Sequence, residues 1–282
     1  MKKVKIYSIH YNRPDFIGWQ YDSFNKFLKV KDGFELIIVN NARDNLIRNE
    51  INKTCNSYNL RVIETHSDTP FHLAGKHHAD SLNHVWKNYI CKDDFAMFCD
   101  GDLFMIKEFH VDNFMKDDLI AGAYQHREQK YEYLAPVIVF IKPTKIPEPE
   151  TIDWEGIGVN GIRLDTGGGI YNYYLNHPEV KQKTKRILNS WHIKNENNNL
   201  LVLPDEIIEL YNDSYNIEFF GNEFLHYCRS SNWDHESEQH HLKKTNFVQL
   251  FVYGCIENKI NAKEHNFQML NDYYFGWGKI EK

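Results

Sequence analysis

The stretch FAMFCDGD, residues 95–102, joins a short apolar strand directly to two aspartates that flank a glycine. Like charges this close repel each other unless a proton or a cation neutralises them. A hard divalent cation that prefers oxygen ligands, Mg²⁺ or Mn²⁺, would satisfy Asp100 and Asp102 and can bridge them to a diphosphate. The alternative is an ordinary Asp-Gly turn at the end of a strand, because the tripeptide alone is common. The surrounding sequence has to decide between the two.

Strand and helix patterns alternate upstream of this stretch. The β-type runs are Val4–Tyr11, Phe34–Val39 and Leu60–Thr65, and the runs with helical spacing are Phe16–Leu28, Leu46–Tyr58 and Ala79–Tyr89. Strands separated by single helices predict βαβ units, and therefore a mainly parallel sheet. Ligands of such sheets bind beyond the carboxyl ends of the strands. We therefore expect Tyr11–Arg13, Asn40–Asn41 and Asp100–Asp102 along one edge.

The second half of the chain is less regular. Strand patterns occur at Leu119–Tyr124, Val137–Ile141 and Ile217–Tyr227, and helix patterns at Pro204–Tyr211 and Phe247–Ile256. The stretch Pro143–Gly161 is rich in Pro, Gly and Glu, which predicts a surface connection.

The composition excludes several kinds of protein. The chain has 282 residues and a net charge of −6, so no basic field indicates nucleic acid or an anionic membrane as a partner. The five cysteines are odd in number and show no CxxC pair, which favours reduced thiols in a cytosolic compartment. No run of about 18 apolar residues is present, which argues against a transmembrane segment. We expect a cytoplasmic protein.

The order of these features resembles the GT-A glycosyltransferases, in particular the family 2-like enzymes. The resemblance is carried by the Asn12-Arg13-Pro14 turn after the first strand, by the DxD of Asp100–Asp102, and by the stretch Lys76–Asn83, which lies 17 residues before it. It implies an α/β fold with a Rossmann-like, mainly parallel central sheet flanked by helices. A GT-A domain would cover residues 1–236, with a nucleotide-binding half (1–125) and an acceptor half (126–236). Residues 237–282 would form a C-terminal helical extension packed on it.

The same resemblance implies an enzyme that moves a hexosyl or pentosyl group from a nucleoside-diphosphate sugar to a hydroxyl acceptor such as a glycan. UDP is the first choice of nucleotide and GDP the second, with Mn²⁺ or Mg²⁺ as cofactor. The metal ligands would be Asp100, Asp102 and His226, and imidazole favours Mn²⁺ over Mg²⁺. A lone histidine in an apolar strand is otherwise a hydrogen-bonded core residue. The implied substrate-binding residues are His10, Asn12, Arg13, Asn41, His78, Asn83, Asp100, Gly167, Gly168, Gly169, Arg229, Asn232 and Trp233.

Three acids are candidates for the catalytic base. Asp205 and Glu206 follow Pro204 and are similar to the acidic pair at the start of the acceptor-side helix in this family. Acids are also favoured there simply by the helix dipole. Asp165 precedes the glycines of Gly167–Gly169, which either let the backbone approach a ligand or form a plain turn. An inverting reaction needs such a base and a retaining one does not, and the sequence leaves both open.

Two other functions stay open. A sugar-nucleotide pyrophosphorylase uses a similar sheet, but it would need a Gly-rich, basic loop after the first strand, where this chain has Tyr11–Pro14. A catalytically silent carbohydrate-binding homologue would keep aromatic clusters without needing Asp100, Asp102 and His226 together. Fold resemblance alone does not fix the substrate.

Overall fold

A computed structural model describes residues 3–70, 73–189, 217–221, 223–228, 230, 237–260 and 274–276. Its strands are β1 (Val4–His10), β2 (Leu28–Lys29), β3 (Phe34–Asn40), β4 (Arg61–Glu64), β5 (Ala96–Asp100), β6 (Leu103–Met105), β7 (Phe109–His110), β8 (Ile120–Arg127), β9 (Tyr131–Ile141), β10 (Gly158–Val159), β11 (Ile162–Arg163), β12 (Thr184–Ile187), β13 (Glu218–Phe220), β14 (Phe224–His226) and β15 (Tyr274–Gly276). Its helices are α1 (Asp15–Phe27), α2 (Asn45–Ser57), α3 (Ala74–Asn88), α4 (Val111–Phe114), α5 (Ile170–Asn176), α6 (Pro178–Gln182) and α7 (Glu238–Ile256). The predicted helix Pro204–Tyr211 lies outside the described residues.

An eight-stranded sheet in the order β15-β12-β8-β9-β5-β1-β3-β4 forms the centre of the fold. Strand β1 pairs in parallel with β3 and β5, and β3 pairs in parallel with β4. These are the βαβ units that the sequence predicts. Strand β9 runs antiparallel to both of its neighbours, β5 and β8, while β8 and β12 are parallel. The sheet is therefore mainly parallel, and flanked by helices as expected.

The central strands are buried on both faces, as in parallel sheets that are covered by helices. Every residue of β5 up to Cys99 and most of β1 are inaccessible to solvent. Helix α1 buries Phe16, Trp19 and Phe24, and α7 packs against α1, where the Tyr253 hydroxyl donates to a carboxylate oxygen of Asp22 at 3.0 Å. Within the described ranges, no helix combines the length and the hydropathy needed to cross a membrane.

Two expectations for the second half were correct only in part. The stretch Pro143–Gly161 is not only a surface connection, because it contains short 3₁₀ turns and buries Trp154 completely. The ring of Trp154 meets Phe98 and Trp86 at centroid distances of 4.6 and 5.5 Å, so aromatic packing holds this segment on the core.

The stretch Ile217–Tyr227, which was expected to be one strand, is interrupted by a turn. It forms two short antiparallel strands, β13 and β14, because the chain turns back at Gly221, whose φ is +57°. A positive φ is readily adopted only by glycine. Strand β14 then pairs with β6, which follows the DGD stretch. This hairpin brings His226 opposite Leu103.

Candidate functional site

The carboxyl ends of three neighbouring strands meet at one edge of the sheet. In register, His10 at the end of β1 pairs with Asn40 at the end of β3, and Ile9 pairs with Asp100 at the end of β5. The loops that follow these strands line a pocket of about 280 Å³. Its lining comprises Ile9, His10, Tyr11, Asn12, Arg13, Phe16, Asn41, Arg43, Gly75, His77, His78, Asp100, Gly101, Asp102, His226 and Ser230.

Gly101 allows the chain to turn tightly between the two acids. Its N–H donates to the carbonyl oxygen of Ile9 at 2.9 Å, and a Cβ at this position would lie only 2.7 Å from that oxygen and from Nδ1 of His10. The Gln20 side-chain amide donates to the carbonyl oxygens of Asp100 and Leu103 at 3.1 and 2.9 Å. The turn is therefore held from both sides, which fixes where the two carboxylates point.

Asp100, Asp102 and His226 converge beside the pocket. Nε2 of His226 lies 3.1 Å from Oδ1 of Asp102 and 3.9 Å from Oδ2 of Asp100. His78, on α3, approaches the other oxygen of Asp100 at 3.3 Å. The pairing of β14 with β6 continues in a hydrogen bond from the Tyr227 N–H to the Asp102 carbonyl at 2.9 Å. Asp100, Asp102 and His226 each offer one ligand atom, and these three atoms lie within 4.8 Å of one another.

The electrostatics of this cluster show two carboxylates that need positive charge. Burial raises the pKa of Asp100, against the attraction of His78. Burial would also raise the pKa of Asp102, but the charge of His226 and its hydrogen bond hold that pKa well below its usual range. Burial favours neutral His226, yet Cys228 and Asp102 hold the pKa of His226 well above its ordinary value. A protonated His226 ring would compensate only one of the two acids.

The donor set fits a hard divalent cation. Adjacent ligands of an octahedral Mg²⁺, each about 2.0–2.1 Å from the ion, lie about 3.0 Å apart, close to the 3.1 Å between His226 and Asp102. The two carboxylates suit both Mn²⁺ and Mg²⁺, and the imidazole favours Mn²⁺. A doubly charged ion among these atoms would neutralise both acids, which the single proton of His226 does not.

The Nδ1 edge of the His226 ring contacts a second pair of side chains. Nδ1 lies 3.2 Å from Oε2 of Glu218 and 3.1 Å from Sγ of Cys228. The Asn189 amide donates to the other oxygen of Glu218 at 3.1 Å. An Nδ1–H that donates to Glu218 leaves Nε2 directed at the two aspartates, which is how histidine ligands of metals are usually oriented.

Six of the expected substrate-binding residues line the pocket: His10, Asn12, Arg13, Asn41, His78 and Asp100. Burial lowers the pKa of His10 to about 4, so its ring is neutral near pH 7. The guanidinium of Arg13 forms two hydrogen bonds with Asp15, at 2.9 and 2.6 Å, and stacks on Phe16 with its carbon 3.7 Å from the ring centroid. Arg13 is therefore held in place by its own neighbours.

The other expected residues that the structure describes are not part of the pocket lining. Asn83 holds the loop before α5, accepting from the Trp154 N–H at 2.9 Å and donating to Asp153 at 2.6 Å. Asp165 is exposed and pairs with Arg127. The glycines of Gly167–Gly169 are buried against main-chain atoms, and a Cβ on Gly167, whose φ is +93°, would lie 2.0 Å from a carbonyl oxygen of β9.

One contact links the glycine segment to the pocket rim: the Thr166 hydroxyl donates to the carbonyl of Gly75 at 3.1 Å. The remaining expected residues, Asp205, Glu206, Arg229, Asn232 and Trp233, lie outside the described residues. Their roles stay predictions.

Sequence reasoning missed several residues of the site. Ser230 hydrogen-bonds Asp102, and Arg43 and His77 line the pocket, where the rings of His77 and Tyr11 meet edge to face at 5.6 Å. Glu218 was missed because it lies eight positions before His226, yet the two are direct cross-strand partners in the hairpin. The signal was Gly221-Asn222, a dipeptide typical of hairpin turns.

Comparison with known proteins gives partial structural likenesses. No protein-family profile matches the chain, and no curated protein matches it. Solved structures with similar regions include several glycosyltransferases. They include the bifunctional glycosyltransferase WbbM (11% identity, TM-score 0.37, covering 53% of this chain and 33% of WbbM). The mannosyltransferase PcManGT from Pyrobaculum calidifontis, in complex with GDP-Man and Mn²⁺, shows 13% identity, a TM-score of 0.35, and coverage of 50% and 44%. An active-site mutant of LgtC shows 11% identity and a TM-score of 0.36, and the match covers 50% of this chain and 58% of LgtC. The matched regions thus span about half of this chain and less than two thirds of each neighbour.

Proposed function

We propose that this protein is a metal-dependent glycosyltransferase that takes a nucleoside-diphosphate sugar as donor. The observation that supports this function is the convergence of Asp100, Asp102 and His226 within 4.8 Å of one another, beside the pocket at the carboxyl edge of the sheet. Asp100, Asp102 and His226 would hold Mn²⁺ or Mg²⁺, and the nucleotide would enter the pocket. The bound cation would stabilise the negative charge that develops on the departing diphosphate.

The charges around the pocket support a role for a cation. Two arginines line the pocket, but Arg13 is paired with Asp15, and Arg43 donates to the carbonyl of Thr69. The chain as a whole carries a net charge of −6. A diphosphate would therefore approach two carboxylates, and Arg43, which keeps its charge when it donates to a carbonyl, offsets only one of them, so repulsion would oppose binding. A divalent ion would neutralise both carboxylates and offer the diphosphate a positively charged ligand-binding centre.

The protein's own residues would prepare the site before the donor arrives. Glu218 would accept a hydrogen bond from Nδ1–H of His226 and so keep Nε2 directed at the aspartates. Gln20 and Gly101 would keep the two carboxylates in a fixed relation. Such preorganisation lowers the cost of arranging ligands at the moment of binding.

The finer parts of the proposal come from the sequence. UDP is the preferred nucleotide and GDP the alternative; the sugar is a hexose or a pentose; the acceptor is a glycan or another hydroxyl compound. Asp205 would take the acceptor proton in an inverting reaction, with Glu206 as the neighbouring candidate. Asp165 is a weaker candidate because it is exposed and engaged with Arg127.

The test is a screen of UDP- and GDP-sugars for release of the nucleotide in the presence of Mn²⁺, with EDTA as the matched control. We expect one donor class to be turned over with Mn²⁺ and not with EDTA. Parallel incubations with a sugar 1-phosphate and a nucleoside triphosphate identify a pyrophosphorylase by release of pyrophosphate. Tight binding of UDP or GDP that EDTA does not affect would contradict the metal-dependent function.

A further inference from the structure

The Nδ1 side of His226 carries a second set of metal-ligand atoms. Sγ of Cys228 lies 3.1 Å from Nδ1 of His226 and 3.2 Å from Oε2 of Glu218. Nδ1 of His226 and Oε2 of Glu218 are 3.2 Å apart. We propose that Glu218, His226 and Cys228 form a second metal site, specific for thiophilic divalent ions such as Zn²⁺ and Co²⁺, and that its occupation inhibits the site formed with Asp100 and Asp102.

The size of this triangle agrees with tetrahedral coordination. With Zn–S of about 2.3 Å and Zn–N and Zn–O of about 2.0–2.2 Å, tetrahedral angles place neighbouring ligand atoms about 3.3–3.6 Å apart. The three observed edges are 3.1–3.2 Å, so a shift of a few tenths of an ångström admits the ion. A thiolate, an imidazole and one carboxylate select Zn²⁺ or Co²⁺ over Mg²⁺, because sulfur is a soft ligand.

The hairpin holds these atoms in place. Glu218 and His226 are cross-strand partners of β13 and β14. Asn189 donates to Glu218 at 3.1 Å, and the ammonium of Lys244 donates to the main-chain carbonyl of Cys228 at 3.0 Å. Cys228 itself has a φ of +58°, which a residue with a side chain rarely adopts without support from its surroundings. The position of the thiol is thus set by the backbone rather than by a flexible side chain alone.

The two sites exclude each other because they share one imidazole. A neutral ring has a single free lone pair, on whichever nitrogen lacks the proton. Binding through Nδ1 leaves the proton on Nε2, the nitrogen that faces Asp102. Coordination at Cys228 forms one sulfur–metal bond and releases the thiol proton to the buffer, with no change of oxidation state. The inhibition, unlike the site, rests on the proposed function.

The site is tested with Co²⁺ alone, on the full chain and without nucleotide. Wild type should develop the thiolate-to-Co²⁺ charge-transfer absorption, and Cys228→Ser should lose it, with at least about tenfold weaker binding, in the range seen when metal sites lose a supporting group. Cys91→Ser is the matched control, because Cys91 is also a partly buried free thiol. Absence of the band in wild type, or a full band in Cys228→Ser, would overturn the site.

A second measurement needs no variant. The X-ray absorption spectrum of the Zn²⁺-loaded wild type should show one sulfur among nitrogen and oxygen ligands, and a shell without sulfur would overturn the proposal even if Cys228→Ser fails to fold. For the inhibition, Zn²⁺ should raise the Mn²⁺ concentration needed for UDP binding at least about tenfold in wild type and Cys91→Ser, and little in Cys228→Ser. Equal sensitivity to Zn²⁺ in all three would contradict the shared ring. A Co²⁺ band without any nucleotide binding would refute the proposed function and leave the site standing.

Discussion

The substitution Asp102→Asn removes one negative charge from the centre of the candidate site and hardly changes its shape. Asp102 is 6% exposed and lies 3.1 Å from His226. If the Asp102 carboxylate binds the cation directly, the loss of its charge should weaken metal binding at least as much as the loss of an outer-shell partner does. Such a loss lowers metal affinity by up to about 100-fold. The expected effect is therefore about 100-fold or more in the dissociation constant.

This change translates into a measurable difference in thermal stability. A ligand at 100 times its dissociation constant adds about 2.7 kcal/mol to the free energy of unfolding, whereas 100-fold weaker binding at the same concentration adds only about 0.4 kcal/mol. For 282 residues, an unfolding entropy of about 2.1 cal/mol/K per residue gives about 0.6 kcal/mol/K. The melting temperature should rise by about 4–5 °C in wild type and by less than about 1 °C in the variant.

Scanning calorimetry with and without Mn²⁺ and UDP or GDP measures both shifts. Asp93→Asn is the matched control, because Asp93 is also buried and accepts a hydrogen bond from Tyr7 at 2.7 Å, but it precedes β5 at the opposite end of the sheet. It should lower the melting temperature of the free protein and keep the full ligand-induced rise. A full rise in Asp102→Asn would refute the assignment of this carboxylate as a metal ligand.

Three further predictions follow from the site. Gly101→Ala should lower the free energy of urea unfolding by about 1–3 kcal/mol and weaken Mn²⁺ binding, because the added Cβ would lie 2.7 Å from a main-chain oxygen of β1. Gly158→Ala is the control and should be neutral, because no described atom lies within 4 Å of the added Cβ. Equal stability of the two variants would contradict the packing argument. Burial lowers the pKa of His10 from 6.5 to about 4, so the unfolded chain binds more protons than the folded chain between these pH values. The free energy of unfolding should therefore fall by about 3 kcal/mol as the pH drops through this range. His10→Gln should lose that dependence when wild type and variant are unfolded in urea at several pH values. Asp205→Asn should lower kcat by about 10²–10⁴-fold with little change in donor binding, and Glu206→Gln should be milder; unchanged transfer by Asp205→Asn would remove that residue from the mechanism.

The first half of the fold could be predicted because its signals are local. Apart from the two-residue strand β2, each strand and helix between Val4 and Asp100 repeats its apolar positions within a few residues, and single helices between strands dictate parallel pairing. The boundaries were less accurate where polar residues serve the site. Helix α3 begins at Ala74 rather than Ala79, because its first turns carry Gly75, His77 and His78 toward the pocket instead of an apolar stripe.

The second half depends on contacts between distant parts of the chain. Strand β9 reverses the direction of the sheet, and nothing within its own sequence states which neighbours it will have. The glycines of Gly167–Gly169 illustrate the same limit. A sequence shows that the backbone needs space there, but the nearest atoms to Gly167 and Gly169 are carbonyl oxygens of Leu134 and Asp153 rather than the pocket. Glycine makes room for a ligand and for a neighbouring strand in the same way.

The position of His226 combines both kinds of information. Its residue type and its order along the chain predict a metal ligand, but its distance from Asp102 depends on the register of β14 against β6. Side chains alternate between the faces of a sheet, so a slip of one residue would turn His226 to the other face and present Leu225 to the acids. The turn at Gly221 fixes a second register, that of β14 against β13, and this second register sets Glu218 beside the ring. The hairpin that the sequence did not predict therefore controls both the orientation of the proposed third ligand, His226, and the proposed second set of ligand atoms behind it.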